Sequence, residues 1–162
     1  MNNVNAMLPT IVGAVVLLAQ PAVADEAPLR AVSASAHGGY FATYGGNSAT
    51  RRIEFTANRD GLNNQSGQGS FFNTTTGGKV HFTIDCLSVV GNVATMSGIW
   101  GDGQGNRPYF WLQVIDNGEG RNANDTVSPL FTHDDPNLTC NGNPFPGVTY
   151  GIDASSGNIQ VR

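Results

Sequence analysis

The sequence predicts an all-β domain, an antiparallel sandwich or barrel of about eight or nine short strands. Three observations point there. Beyond residue 24, apolar and polar residues alternate with a period of two, the signature of half-buried strands. Residues rich in Gly, Asn and Asp separate these runs and supply turn chemistry. Charge is scarce, with 8 Lys+Arg and 12 Asp+Glu in 162 residues, against long charged helices and coiled coils. A net charge of -4 and a single lysine, Lys79, leave no basic stripe, so no nucleic-acid partner is expected.

Residues 1–24 carry no Asp, Glu, Lys or Arg. An apolar run from Ile11 to Ala19 leads to Ala22-Val23-Ala24 and then Asp25-Glu26, the pattern of a signal peptide cleaved after Ala24. The run is far shorter than the roughly 20 apolar residues of a membrane span. The expected product is a secreted or periplasmic domain, residues 25–162, without a transmembrane segment.

Strands are expected near 29–36, 50–57, 69–73, 79–89, 92–100, 109–115, 126–131, 148–152 and 158–161. In the second, Ile53, Phe55 and Ala57 share one face. In the fourth, Val80, Phe82, Ile84 and Cys86 alternate with His81, Thr83 and Asp85, which puts Cys86 on the core-facing side. In the sixth, Phe110, Leu112 and Val114 oppose Tyr109, Trp111, Gln113 and Ile115. Turns fall at Arg59-Asp60-Gly61, Thr76-Gly77-Gly78, Val90-Gly91-Asn92 and Asp116-Asn117-Gly118, where residues tolerant of positive φ cluster. Residues 132–147 contain Pro136, Pro144 and Pro146, which excludes a central strand and predicts a long surface loop.

Cys86 and Cys140 are the two cysteines. In an oxidising compartment they are expected to pair, closing a 54-residue separation and stabilising the fold by about 4 kcal/mol in the chain-entropy model. Two buried free thiols are the alternative. The spacing does not match a zinc site.

Several segments carry a family resemblance. They are Gly38-Gly39-Tyr40, Asp85-Cys86-Leu87-Ser88-Val89 followed by Gly91-Asn92-Val93-Ala94 and Gly98, Asp116-Asn117-Gly118-Glu119-Gly120 with Asp125, and Gly157-Asn158-Ile159-Gln160-Val161. Together they resemble small secreted all-β modules of bacteria, most without a known activity. The resemblance implies an antiparallel fold and export, and brings no catalytic residue. The loop carrying Cys140 departs from that pattern.

Three groups of residues are candidate sites. Asp116, Glu119, Asn124 and Asp125 gather carboxylate and amide oxygens of the kind that bind Ca²⁺, although the spacing is not that of an EF-hand, and a turn bonded to its own backbone explains them as well. Tyr109 and Trp111 form either a second buried layer or an exposed platform for a glycan or protein ligand. His37, His81 and His133 have no spacing that suggests zinc, and no His-Glu motif occurs. Nucleophile elbows and phosphate-binding loops are missing from the sequence. Glu54, Asp85 and Asp116 are the carboxylates available to a polysaccharide-cleaving pair if the sheet brings them together. The expectation is a secreted, non-catalytic binding or structural domain. A polysaccharide-active enzyme and a subunit that self-associates edge to edge are the alternatives.

Overall fold

The structure, a computed structural model, describes residues 29–44, 47–101, 103, 105–119, 124–140, 150–152 and 157–162. The expected signal peptide and part of the Pro-rich loop, 141–147, lie outside these residues. The described chain forms strands β1 (Val32–Tyr44), β2 (Asn47–Arg59), β3 (Gln65–Asn73), β4 (Gly78–Val90), β5 (Val93–Trp100), β6 (Tyr109–Ile115), β7 (Thr126–Val127), β8 (Phe131–His133), β9 (Tyr150–Gly151) and β10 (Asn158–Val161). All pair antiparallel in one curled sheet, a half-barrel ordered β10-β1-β2-β3-β4-β5-β6-β7-β9, with β8 also on β6. Among the described residues no helix is long and apolar enough to cross a membrane.

Alternation sorts the sheet into two faces. The concave face holds Ala34, Ala36, Ile53, Phe55, Ala57, Phe82, Ile84, Met96, Phe110, Leu112, Val114 and Ile159, all buried. Small residues on β1 share this core with large ones on β4 and β6, where the Phe82 and Phe110 rings lie 5.0 Å apart. Gly69 on β3 also faces inward, directly across from Phe82. A methyl group there would overlap the Phe82 ring and the Glu54 carbonyl, so only glycine admits the ring beneath the strand.

β2 begins at Asn47 rather than Thr50 and β3 at Gln65 rather than Gly69, and two further elements differ from the sequence expectation. β1 starts later but runs on through Gly38-Gly39 to Tyr44, because its pairing with β2 is unbroken from Val32↔Arg59 to Tyr44↔Asn47. The expected strand 126–131 is interrupted. β7 pairs with Val114 and Ile115, and β8 pairs with Tyr109 to Trp111. Between them, buried Ser128 donates its N–H to the Gln113 carbonyl at 2.8 Å, and its Oγ accepts from the Gln113 N–H at 2.9 Å.

The curl brings β10 back to the connection between β6 and β7. In an antiparallel pair, alternate N–H groups point away from the partner. Arg162 exchanges N–H···O bonds with Ser33, so the N–H groups of Ile159 and Val161 point away from β1. Both find carboxylates: Ile159 donates to Asp125 Oδ2 at 2.8 Å and Val161 to Asp116 Oδ2 at 3.0 Å. The other oxygens of the same side chains accept from Asn117 and Gly118 at 2.8 and 2.9 Å. The Asp125 carbonyl accepts from Ile152 at 2.8 Å. Two aspartates thus take the place of a strand along the edge of β10.

Asp125 is only 3% exposed, so replacing it strands the buried Ile159 N–H and the part-buried Asn117 N–H. Asp125→Ala is expected to lower the unfolding free energy by about 2–4 kcal/mol in urea titration, and Asp125→Asn, which keeps one acceptor, by less. An unchanged midpoint for Asp125→Ala would refute the role of the seam.

Candidate functional site

The convex face divides into a covered half and an open half. The division begins at a β-bulge between Ile84 and Cys86, where the pairing of β4 with β5 shifts by one residue. Asp85 is the extra residue. Before it Phe82 and Ile84 face the core, and after it Leu87 does. Cys86 therefore faces outward, contrary to the alternation expected from sequence, and the chain signals this by placing two apolar residues, Cys86 and Leu87, side by side.

Cys86 opens a row that crosses the convex face through Ser97 and Trp111 to Phe131. Residues 134–140 fold back over this row as a strap. Cys140 forms the disulfide with Cys86, with Cα atoms 5.6 Å apart. The Cys140 N–H donates to Ser97 Oγ at 3.2 Å, and Trp111 Nε1 donates to the Leu138 carbonyl at 3.3 Å. The His133 ring packs on Trp111 and Tyr109, with centroids 5.1 and 5.9 Å apart. Tyr109 and Trp111 are thus half-buried in a second layer beneath the strap.

Asp85 stands at the margin of this layer. Partial burial raises its carboxyl pKa above the ordinary 3.8, while its own N–H and the Ser97 hydroxyl oppose the shift. At the opposite extreme, Asp60 in the β2–β3 turn accepts from Asn64 and Leu62, which hold its carboxyl below the ordinary value.

The four oxygen-bearing residues proposed for Ca²⁺ sit together where β6 meets β10. The carboxylates of Asp116 and Asp125 accept the backbone donors of the seam, Glu119 Oε1 accepts from Gln160 at 3.4 Å, and the Asn124 carbonyl accepts from Asn117 Nδ2 at 2.6 Å. A calcium ion would draw on the same oxygens. No group of three or more His, Cys, Asp or Glu side chains suited to a metal occurs among the described residues.

The open half spans β1 to β4 and holds a groove of about 730 Å³. Register, not sequence spacing, assembles it. One row runs His37–Glu54–Ser70–His81 across the four strands, and the next runs Ser35–Thr56–Gln68–Thr83. Directly opposed side chains have Cβ atoms about 4.5–5.5 Å apart, so each row is a continuous strip of donors and acceptors. In the sequence His37 and His81 have no spacing that suggests a shared site, and no His-Glu motif occurs. Pairing of β1 with β2 sets His37 opposite Glu54 across 16 intervening positions that no motif spans. The inward glycines Gly67 and Gly69 let β3 lie close to the core, so the convex face dips there and Gly69 joins the lining.

Of the carboxylates Glu54, Asp85 and Asp116, only Glu54 lines the groove. The other two belong to the bulge and the seam. Compared with protein-family models, with curated proteins and with solved structures, the chain matches none.

Two outcomes test the covered half. In the double variant Cys86→Ser/Cys140→Ser the strap loses its covalent tie, and Trp emission is expected to shift to longer wavelength as water reaches Trp111. An unshifted spectrum would show that the strap holds without the disulfide. The raised pKa of Asp85 means that the folded state holds its proton more tightly. Its stability contribution is fully present below the unfolded pKa and lost as pH rises through the folded one. Asp85→Asn is therefore expected to melt a few degrees higher than wild type at pH 7 and to lose that advantage near pH 3. An equal melting temperature at pH 7 would count against it.

Proposed function

We propose that the protein is an exported, non-catalytic binding module whose groove on β1–β4 holds a glycan chain. The observation that carries this reading is the pair of polar rows across four strands. Sugar hydroxyls both donate and accept, and the rows offer hydroxyls on Ser35, Thr56, Ser70 and Thr83, an amide on Gln68, a carboxylate on Glu54 and two imidazoles. At a strand spacing of about 4.8 Å the rows extend about 14 Å, enough for a short run of sugar rings. Binding is favoured over hydrolysis because a glycosidase needs two carboxyl groups within about 10 Å of each other, and Glu54 is the single carboxylate among the described lining residues.

The leader-like residues 1–24 and the Cys86–Cys140 pair support export. Self-assembly through β10 is disfavoured, because the edge donors of Ile159 and Val161 are already bonded.

Affinity electrophoresis through gels containing soluble polysaccharides tests the reading. At least one polymer is expected to retard the wild-type protein. Gln68→Ala and Glu54→Gln are expected to weaken that retardation by about tenfold, with melting temperatures unchanged because both side chains are exposed. Retardation by none of the polymers, or equal retardation of the variants, would overturn it.

A further inference from the structure

One row beyond His37–Glu54–Ser70–His81 the chemistry changes. Register places Arg52 opposite Phe72 and Phe72 opposite Lys79, a cation on each side of an aromatic ring, on β2, β3 and β4. These three line a second hollow of about 310 Å³ that shares Glu54, Ser70 and Lys79 with the main groove. Arg52 and Lys79 are exposed and Phe72 is half-buried. Neither cation forms an ion pair or hydrogen bond among the described residues, and the same holds for Glu54 in the adjoining row. Lys79 is the only lysine in the chain, and this row holds two of the eight Lys+Arg of a protein whose net charge is -4. The two cations give this row a charge opposite in sign to the molecule's net charge.

Two unpaired cations beside an outward-facing ring suit one kind of ligand. Arg52 presents a planar fork that matches a carboxylate, and Lys79 adds a point charge from the other side. The Phe72 face offers a surface on which the apolar face of a sugar ring stacks. The adjoining row carries the carboxylate of Glu54 and neither lysine nor arginine, so a single anionic group is steered to the Arg52–Lys79 row while Glu54 accepts a hydroxyl from the neighbouring unit.

We propose that the Arg52–Phe72–Lys79 row is an anion subsite that selects glycans bearing a carboxylate on the ring, that is, uronic-acid polysaccharides. The proposal rests on the reading of the groove as a glycan site and adds the class of sugar.

The test compares polygalacturonate, alginate and hyaluronate with their carboxyl-reduced forms, using the wild-type protein in affinity electrophoresis at low salt, and includes poly-glutamate as a charged chain without rings. At least one acidic polymer is expected to bind about tenfold more tightly than its reduced form, with the difference shrinking at high salt as the charges are screened. R52Q and K79M are expected to bring the acidic polymer down to the affinity of the reduced one and to leave the reduced one unaffected. Gln68→Ala is expected to weaken both alike. Equal binding of acidic and reduced forms, still sensitive to Gln68→Ala, would overturn the anion subsite and leave the glycan groove standing. Poly-glutamate binding as tightly as the best acidic polysaccharide would overturn the selection for a sugar ring. No binding of any form would overturn both readings.

Discussion

The fold depends on how a curled sheet satisfies its last free edge. A half-barrel leaves strand edges whose N–H groups, if buried unpaired, each cost about 1–3 kcal/mol. On β10 that cost is avoided by side chains: Asp125 and Asp116 accept from Ile159 and Val161 while bonding the turn they belong to. Each carboxylate therefore ties the tight turn after β6 to a strand more than 30 positions further along the chain. Core residues on either side of this seam, Ile159 from β10 and Val127 from β7, are almost fully buried.

Once the curl is set, the convex face is partitioned by two local irregularities. The bulge at Asp85 turns Cys86 outward, and the disulfide to Cys140 lays the strap over Ser97 and Trp111. One half of the outer face thereby becomes an inner layer. On the other half, β3 carries glycine at its inward positions 67 and 69, and the sheet sinks toward Phe82. A covered half and a grooved half follow from one extra residue on β4 and two missing side chains on β3.

The groove has the character of a recognition surface because its charged groups lack partners among the described residues. Arg52, Lys79 and Glu54 are exposed and unpaired among the described residues, while the buried carboxylate of Asp125 is fully occupied. Polar groups committed to structure and polar groups open to a ligand are thus segregated. The seam spends its aspartates on backbone donors, and the groove keeps its polar side chains facing solvent.

The strands themselves were legible in the chain, because burial of one face imposes a period of two that Ile53, Phe55 and Ala57 or Phe110, Leu112 and Val114 display without reference to anything distant. So were the turns and the pairing of two cysteines. The same local logic misplaced Cys86, since alternation carries no memory of a bulge, although Cys86-Leu87 hinted at one. It also could not separate a calcium loop from a seam at Asp116 and Asp125, because the donors those carboxylates accept lie on β10. The groove was not visible at all: His37, Glu54, Ser70 and His81 are scattered over 45 positions and become neighbours through the registers of three strand pairs. Sequence by itself determined which residues form strands and which face each side chain takes between irregularities. Tertiary structure decided which of those side chains meet, because register and curl are set by long-range hydrogen bonds that local pattern does not encode.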